Sequence, residues 1–129
     1  MIPRLLITDD SMIIREMIKD AARKAGWDIA GEAGNGQEAI DLYKRLRPDV
    51  VTLDLVMPDF GGLHGLEGIR RLNPSAYVIM ISAVDQADVV RDALKMGAAD
   101  FIVKPFTKDR LVQTFTNLFN RFATPAGAR

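Results

Sequence analysis

Val50-Val51-Thr52-Leu53-Asp54 is an apolar, β-branched run that stops at a carboxylate, and it continues into Leu55-Val56-Met57-Pro58. An acid set into a run that otherwise reads as buried strand is rarely left without a partner. Three other runs have the same form. Leu5 to Thr8 leads into Asp9 and Asp10, Tyr77 to Ile81 into Ser82, and Phe101 to Val103 into Lys104. In open α/β sheets ligands bind outside the carboxyl ends of the strands. If these runs are neighbouring parallel strands, one crevice receives three carboxylates, a hydroxyl and an ammonium.

The intervening segments carry helical periodicity. Ile14, Met17, Ile18, Ala21, Ala22 and Ala25 recur at helical spacing and predict one buried stripe ending near Gly26. A strand at Trp27 to Ala33 then leads through Asn35-Gly36 into a helix with Ala39, Ile40 and Tyr43 that stops before Pro48. A Pro/Gly cluster from Met57 to Gly62 precedes a helix from about Leu63 to Leu72. Val89, Val90, Ala93 and Leu94 define the next helix, with Gly97 as a left-handed cap residue. Leu111, Val112, Phe115, Leu118, Phe119 and Phe122 form the stripe of the last. Strands Arg4–Thr8, 27–33, Val50–Leu53, 77–81 and 101–103 alternating with five helices imply a parallel sheet with right-handed crossovers. The expected fold is an α/β three-layer sandwich. Residues 123–129, with Pro125 and Gly127, read as a tail or linker stub after a single domain spanning 1–122.

The chain has 129 residues, 48% of them hydrophobic, which suits one core. Lys plus Arg number 17 and Asp plus Glu number 17, so no overall field draws the chain to nucleic acid or to an anionic membrane. The absence of cysteine excludes disulfides and thiolate chemistry and is compatible with a reducing cytoplasm. The apolar run at the N-terminus is too short for a signal peptide or a span. A cytoplasmic protein is expected.

Each polar strand-end residue has a plain structural reading. Asp9 and Asp10 suit a helix N-terminus, Ser82 a turn hydrogen bond, and Lys104 a solvated strand end. Taken together they suit something else. Three carboxylates in one crevice repel one another and need a cation, and an all-oxygen donor set suits Mg²⁺. A lysine and a serine opposite that site offer a point charge and a donor to phosphoryl oxygens. His64, the single histidine, reads as an exposed residue near a helix start, and Trp27 and the helical phenylalanines read as core.

LLITDDS, TLDLVMP, VIMISA and GAADFIVKPF together resemble the receiver domains of bacterial two-component response regulators, the CheY-like family, over about Arg4 to Phe122. The resemblance implies a flavodoxin-like strand order of 2-1-3-4-5. It also implies that Asp54 accepts a phosphoryl group from a histidine kinase. Asp10, Asp54 and the Val56 backbone carbonyl would hold Mg²⁺, with Asp9 acting mainly through water. Lys104 and Ser82 would bind phosphoryl oxygens, Phe101 would change rotamer with Ser82, and Ala83 would leave room for the phosphoryl group. Lys104–Pro105 matches a bond that is typically cis in the family. The surface around the fourth helix, fifth strand and fifth helix would carry the response.

Three positions depart from the family pattern. Gly61 stands where an acid or asparagine is common, which is expected to loosen that loop. Val56 and Val84 are apolar where polar residues in relatives help orient water, so a long-lived acyl phosphate is expected.

Two segments, 16–40 and 82–106, look most like the chemotaxis branch. The expected target is then a flagellar motor switch or a kinase, reached by a monomer through transient contacts. One alternative is a receiver excised from a multidomain transcription factor or enzyme. Another is a small aspartyl phosphohydrolase of the haloacid dehalogenase type, although Asp54-Leu55-Val56 lacks its second acid. A flavodoxin-like electron carrier fits poorly, because Asp9 and Asp10 would repel a flavin phosphate. The intact acid, hydroxyl and lysine set argues against a purely structural pseudo-receiver.

Overall fold

The computed structural model describes residues 1–123. Its elements run β1 (Arg4–Thr8), α1 (Met12–Lys24), β2 (Asp28–Ala33), α2 (Gly36–Leu46), β3 (Val50–Leu53), α3 (Gly62–Leu72), β4 (Tyr77–Ser82), α4 (Ala87–Lys95), β5 (Asp100–Val103) and α5 (Lys108–Ala123). The last helix therefore includes Ala123, and the remainder of the expected tail lies outside the described residues. All strand pairs are parallel, and the order is β2-β1-β3-β4-β5.

The apolar strand runs make sense once both faces of the sheet are covered, because such strands need no polar alternation. Leu6, Val51, Leu53, Val78 and Met80 pack against Ala39 and Tyr43 of α2, Leu66 and Ile69 of α3, and Ala93 of α4. On the opposite face Leu5, Ile7, Val50, Ile79, Ile81 and Ile102 pack against Ile18, Ala21 and Ala22 of α1 and Leu111 and Phe115 of α5. Trp27 precedes β2 instead of starting it. Its ring is buried, and its Nε1–H donates to the Phe115 carbonyl at 2.9 Å, so the one polar atom of the indole is satisfied inside the core.

Two stripe residues are not buried as the periodicity predicts. Met17 is 41% exposed and Leu94 is 46% exposed. Helical spacing assigns a side chain to a face, whereas burial also requires a neighbouring layer to reach it. The nine-residue α4 buries Ala93 alone, and Met17 lies at the rim where α1 meets Lys104, Pro105 and Phe106. Gly97 does close α4 as its sequence position suggests. Its φ of +105° lies in the left-handed region, with its N–H on the Leu94 carbonyl and the next N–H, of Ala98, on that of Ala93. Among the described residues no helix is long and apolar enough to cross a membrane.

Candidate functional site

The ends of β1 and β3 are adjacent, with Thr8 paired to Leu53, so the residues following them emerge side by side. One carboxylate oxygen from each of Asp9, Asp10 and Asp54 lies within 4.8 Å of the others. Asp9 and Asp54 are buried, while Asp10 is exposed. Lys104, at the end of β5, reaches back across the sheet edge. Its Nζ donates to Asp9 Oδ2 at 2.7 Å and to Asp54 Oδ2 at 3.0 Å. Thus the four predicted charged residues form one cluster.

The second oxygens of the two buried acids accept backbone N–H groups. Asp9 Oδ1 accepts from Ser11 at 2.9 Å, and Asp54 Oδ1 accepts from Val56 at 3.2 Å. Ser11, and neither aspartate, is the N-cap of α1, its Oγ accepting from the Ile14 N–H at 3.3 Å. The helix start is therefore served by a serine, which leaves the Asp10 carboxylate without a hydrogen bond or ion pair among the described residues.

Burial is the main reason the Asp9 carboxyl is raised above its ordinary pKa, and the nearby Asp54 charge adds to it, against the opposing pull of Lys104 and the Ser11 N–H. Burial would depress the Lys104 ammonium, but hydrogen bonds and charge from Asp9 and Asp54 outweigh it and hold the group above its usual value. Lys104 is therefore a stable cation. One ammonium facing three carboxylates leaves an excess of negative charge, and the donors are all hard oxygens. That set fits a small divalent cation such as Mg²⁺.

Ser82 ends β4 and is buried, with its Oγ 3.5 Å from the Val84 N–H, while its carbonyl accepts the Lys104 N–H at 2.8 Å. Ala83 beside it is exposed, and the Lys104–Pro105 peptide is cis. Phe101 is partly buried against the α2–α3–α4 layer. Val56 is 65% exposed. Gly61 is the N-cap of α3 without a side-chain hydrogen bond, and a Cβ there would stand 2.8 Å from the Leu55 carbonyl oxygen, so the turn is tightly packed at this point. His64 is exposed, 2.8 Å from Gln37 Oε1 and stacked at a tilt on Phe60.

Sequence reasoning passed over Arg15. Its Nη1–H donates to the Asp9 carbonyl at 2.8 Å and its Nε–H to Glu32 at 3.1 Å, and Lys19 pairs with the other Glu32 oxygen at 2.7 Å. On a helical wheel Arg15 is only a polar position beside the buried stripe. The Lys19 hydrogen bond first, with Arg15 assisting, holds the Glu32 carboxyl below its ordinary pKa. A carboxylate depressed on folding contributes stability above its unfolded pKa and loses it as pH falls through the folded value. The urea-midpoint gap between the wild type and Glu32→Gln is therefore expected to be full at neutral pH and to close as pH drops below 4.5. A gap that stays constant through acid pH contradicts this.

A parallel five-stranded sheet with acids and a lysine at its carboxyl edge defines a class. Residues 5–116 match the response regulator receiver domain family, and the chain belongs to it. As a receiver domain the chain is a phosphorylation switch and not an enzyme turning over external substrates, which sets aside the phosphohydrolase and electron-carrier alternatives.

Among its relatives is the chemotaxis protein CheY of Thermotoga maritima, 45% identical over 115 residues that make up 89% of this chain and 96% of that protein. It is also 37% identical to the "Probable transcriptional regulatory protein TcrX" of Mycobacterium tuberculosis, over 91% of this chain and 50% of that protein. The solved CheY in the CheX-CheY-BeF3-Mg complex of Borrelia burgdorferi superposes with a TM-score of 0.86 at 35% identity, covering 90% of this chain and 88% of that one.

Proposed function

We propose that the protein is a chemotaxis-type response regulator, phosphorylated on Asp54 by a histidine kinase. The observation that carries this reading is the convergence of Asp9, Asp10 and Asp54 with Lys104 spanning the two buried acids. The chemotaxis assignment rests on likeness to CheY proteins matched over nearly their whole length. Such a switch works in the cytoplasm, where the kinase and the motor switch or kinase it would act on are found.

In this reading Asp10, Asp54 and the Val56 carbonyl would hold Mg²⁺, with Asp9 contributing mainly through water. When bound, the ion supplies positive charge against the acids and the phosphoryl oxygens. Asp54 is the nucleophile. One of its oxygens bonds to phosphorus as the P–N bond to the kinase histidine breaks, and since a carboxylate is already ionised no general base is needed. Lys104 shifts its ammonium from Asp54 to a phosphoryl oxygen, and the Ser82 hydroxyl donates to another. Drawing Ser82 toward the phosphate makes room for Phe101 to change rotamer, and the α4–β5–α5 surface, where Leu94 and Val103 stand exposed, is remodelled. Turning the switch from mostly off to mostly on takes about 5.5 kcal/mol of differential stabilisation.

The kinase must cover the mouth of the site. Met12, Ile13 and Met17 of α1 are 66%, 73% and 41% exposed beside it, and exposed apolar clusters of this kind mark protein contacts.

Incubation with Mg²⁺ and a small-molecule phosphodonor is expected to label Asp54 stoichiometrically, and phosphorylation is expected to enhance capture of a motor-switch component from the same cell. Labelling elsewhere, or multiple turnover without a labelled protein, overturns the proposal. The apolar Val56 and Val84 flank the acyl phosphate without offering a hydrogen-bonding group to an attacking water. Decay of the phosphorylated protein is accordingly expected to be slow and to accelerate several-fold in Val56→Asn. Rapid decay of the wild type, unchanged in that variant, would contradict the assignment.

A further inference from the structure

We infer that Arg15 is a positioning residue for the acidic pair, setting the direction of Asp10 through the Asp9 carbonyl; the inference rests on the proposed metal-dependent phosphoacceptor role. Only Asp9, Asp10 and Ser11 connect β1 to α1. Within that link, the Asp9 N–H donates to the Ala33 carbonyl at 3.1 Å, and its carboxylate is held by Lys104 and by the Ser11 N–H. The carbonyl of Asp9 belongs to the peptide that joins it to Asp10, and it is Arg15 Nη1 that holds this group, at 2.8 Å. Because the Asp10 carboxylate has no partner of its own, its direction follows from the orientation of that peptide.

Two further observations give Arg15 this role. A cation in the first turn of a helix opposes the helix dipole, and α1 has no acid there to offset it. The local placement is therefore unfavourable, and its reason lies in the tertiary contact. The guanidinium is also held in its plane from the far side. Its Nε–H donates to Glu32 Oε1 at 3.1 Å, and Glu32 is fixed in turn by Lys19 at 2.7 Å, which also pairs with Glu16 at 2.8 Å. A planar fork with two divergent donors spans carbonyl and carboxylate together, whereas a lysine offers one point charge. Hydrogen bonds that orient metal ligands from behind are commonly worth about 10–100-fold in metal affinity.

Calorimetric Mg²⁺ titration of the whole protein is the test, alongside urea unfolding and the Mg²⁺ dependence of phosphodonor labelling. Arg15→Ala and Arg15→Lys are expected to bind Mg²⁺ about tenfold more weakly. The half-saturating Mg²⁺ for labelling should rise in step, while the rate at saturating Mg²⁺ stays near wild type. The exchanged pair Arg15→Glu with Glu32→Arg separates positioning from simple bracing. It restores an ion pair between α1 and β2, and with it part of the urea resistance, the Lys19 contact to Glu32 being lost, but leaves no donor on the Asp9 carbonyl, so affinity is expected to stay low. Wild-type affinity in either single variant, or affinity restored along with stability in the exchanged pair, overturns the inference. A wild type that takes up no Mg²⁺ overturns the reading beneath it, a result distinguishable because it needs no variant.

Discussion

Asp54→Asn is expected to reduce phosphodonor labelling to below about 1% of wild type, since the amide oxygen is a poor nucleophile. The substitution keeps the shape of the side chain at the end of β3 and an acceptor for the Val56 N–H, now 3.2 Å from Asp54 Oδ1. It removes one of three carboxylates crowded within 4.8 Å. Relief of that repulsion makes the variant at least as resistant to urea as the wild type in the absence of divalent cations, even though Lys104 loses one of its two charged partners. The two results must appear together. Lost labelling in a protein of undiminished stability assigns the chemistry to Asp54, while labelling that survives the substitution defeats the central assignment.

Gly62→Ala is expected to be the most damaging single-methyl change near the site. A Cβ at Gly62 would lie 2.1 Å from the Asp54 carbonyl oxygen and 2.8 Å from the Leu55 Cα. These are backbone atoms of the segment that begins at Asp54, so no side-chain rotation can relieve the contact. Either α3 retreats from the sheet or the Asp54–Leu55 peptide turns. The expected loss is at least about 3 kcal/mol, at the upper end for overpacking, together with weaker labelling in whatever fraction remains folded. Urea denaturation reads the first effect, and a midpoint within experimental scatter of wild type would refute it. Close backbone contact also corrects the reading of Gly61 in the Phe60-Gly61-Gly62-Leu63 turn, which sequence alone takes only to loosen the loop. The turn passes against the β3–α3 backbone at both glycines.

Much of the molecule is legible because its signals are local. Apolar runs mark four of the five strands to within one residue, since a strand covered on both faces needs no polar alternation, while β2, mostly not buried, is read from its place between the first helix and the Asn35-Gly36 turn. Helical spacing of apolar residues marks four of the helices, the Pro/Gly cluster at Met57 to Gly62 marks the start of α3, and the residue following each apolar run marks the carboxyl edge. The strand order came from resemblance, because periodicity carries no information about which strands are neighbours.

Where the periodicity misleads, it does so at Met17 and Leu94. There the stripe is present, but no layer comes far enough to cover it.

The sequence by itself determined the alternation of strands and helices, the residue types at the strand ends and their order of acid pair, acid, hydroxyl and lysine. Only the tertiary structure decided that Lys104 would bridge Asp9 and Asp54, that Ser11 would take over the helix cap, and that Arg15 would grip the Asp9 carbonyl. The physical reason is range. A propensity or a cap depends on neighbours a few residues away, whereas the Lys104–Asp9 contact joins residues 95 apart and exists only because β5 is carried to the same sheet edge as β1.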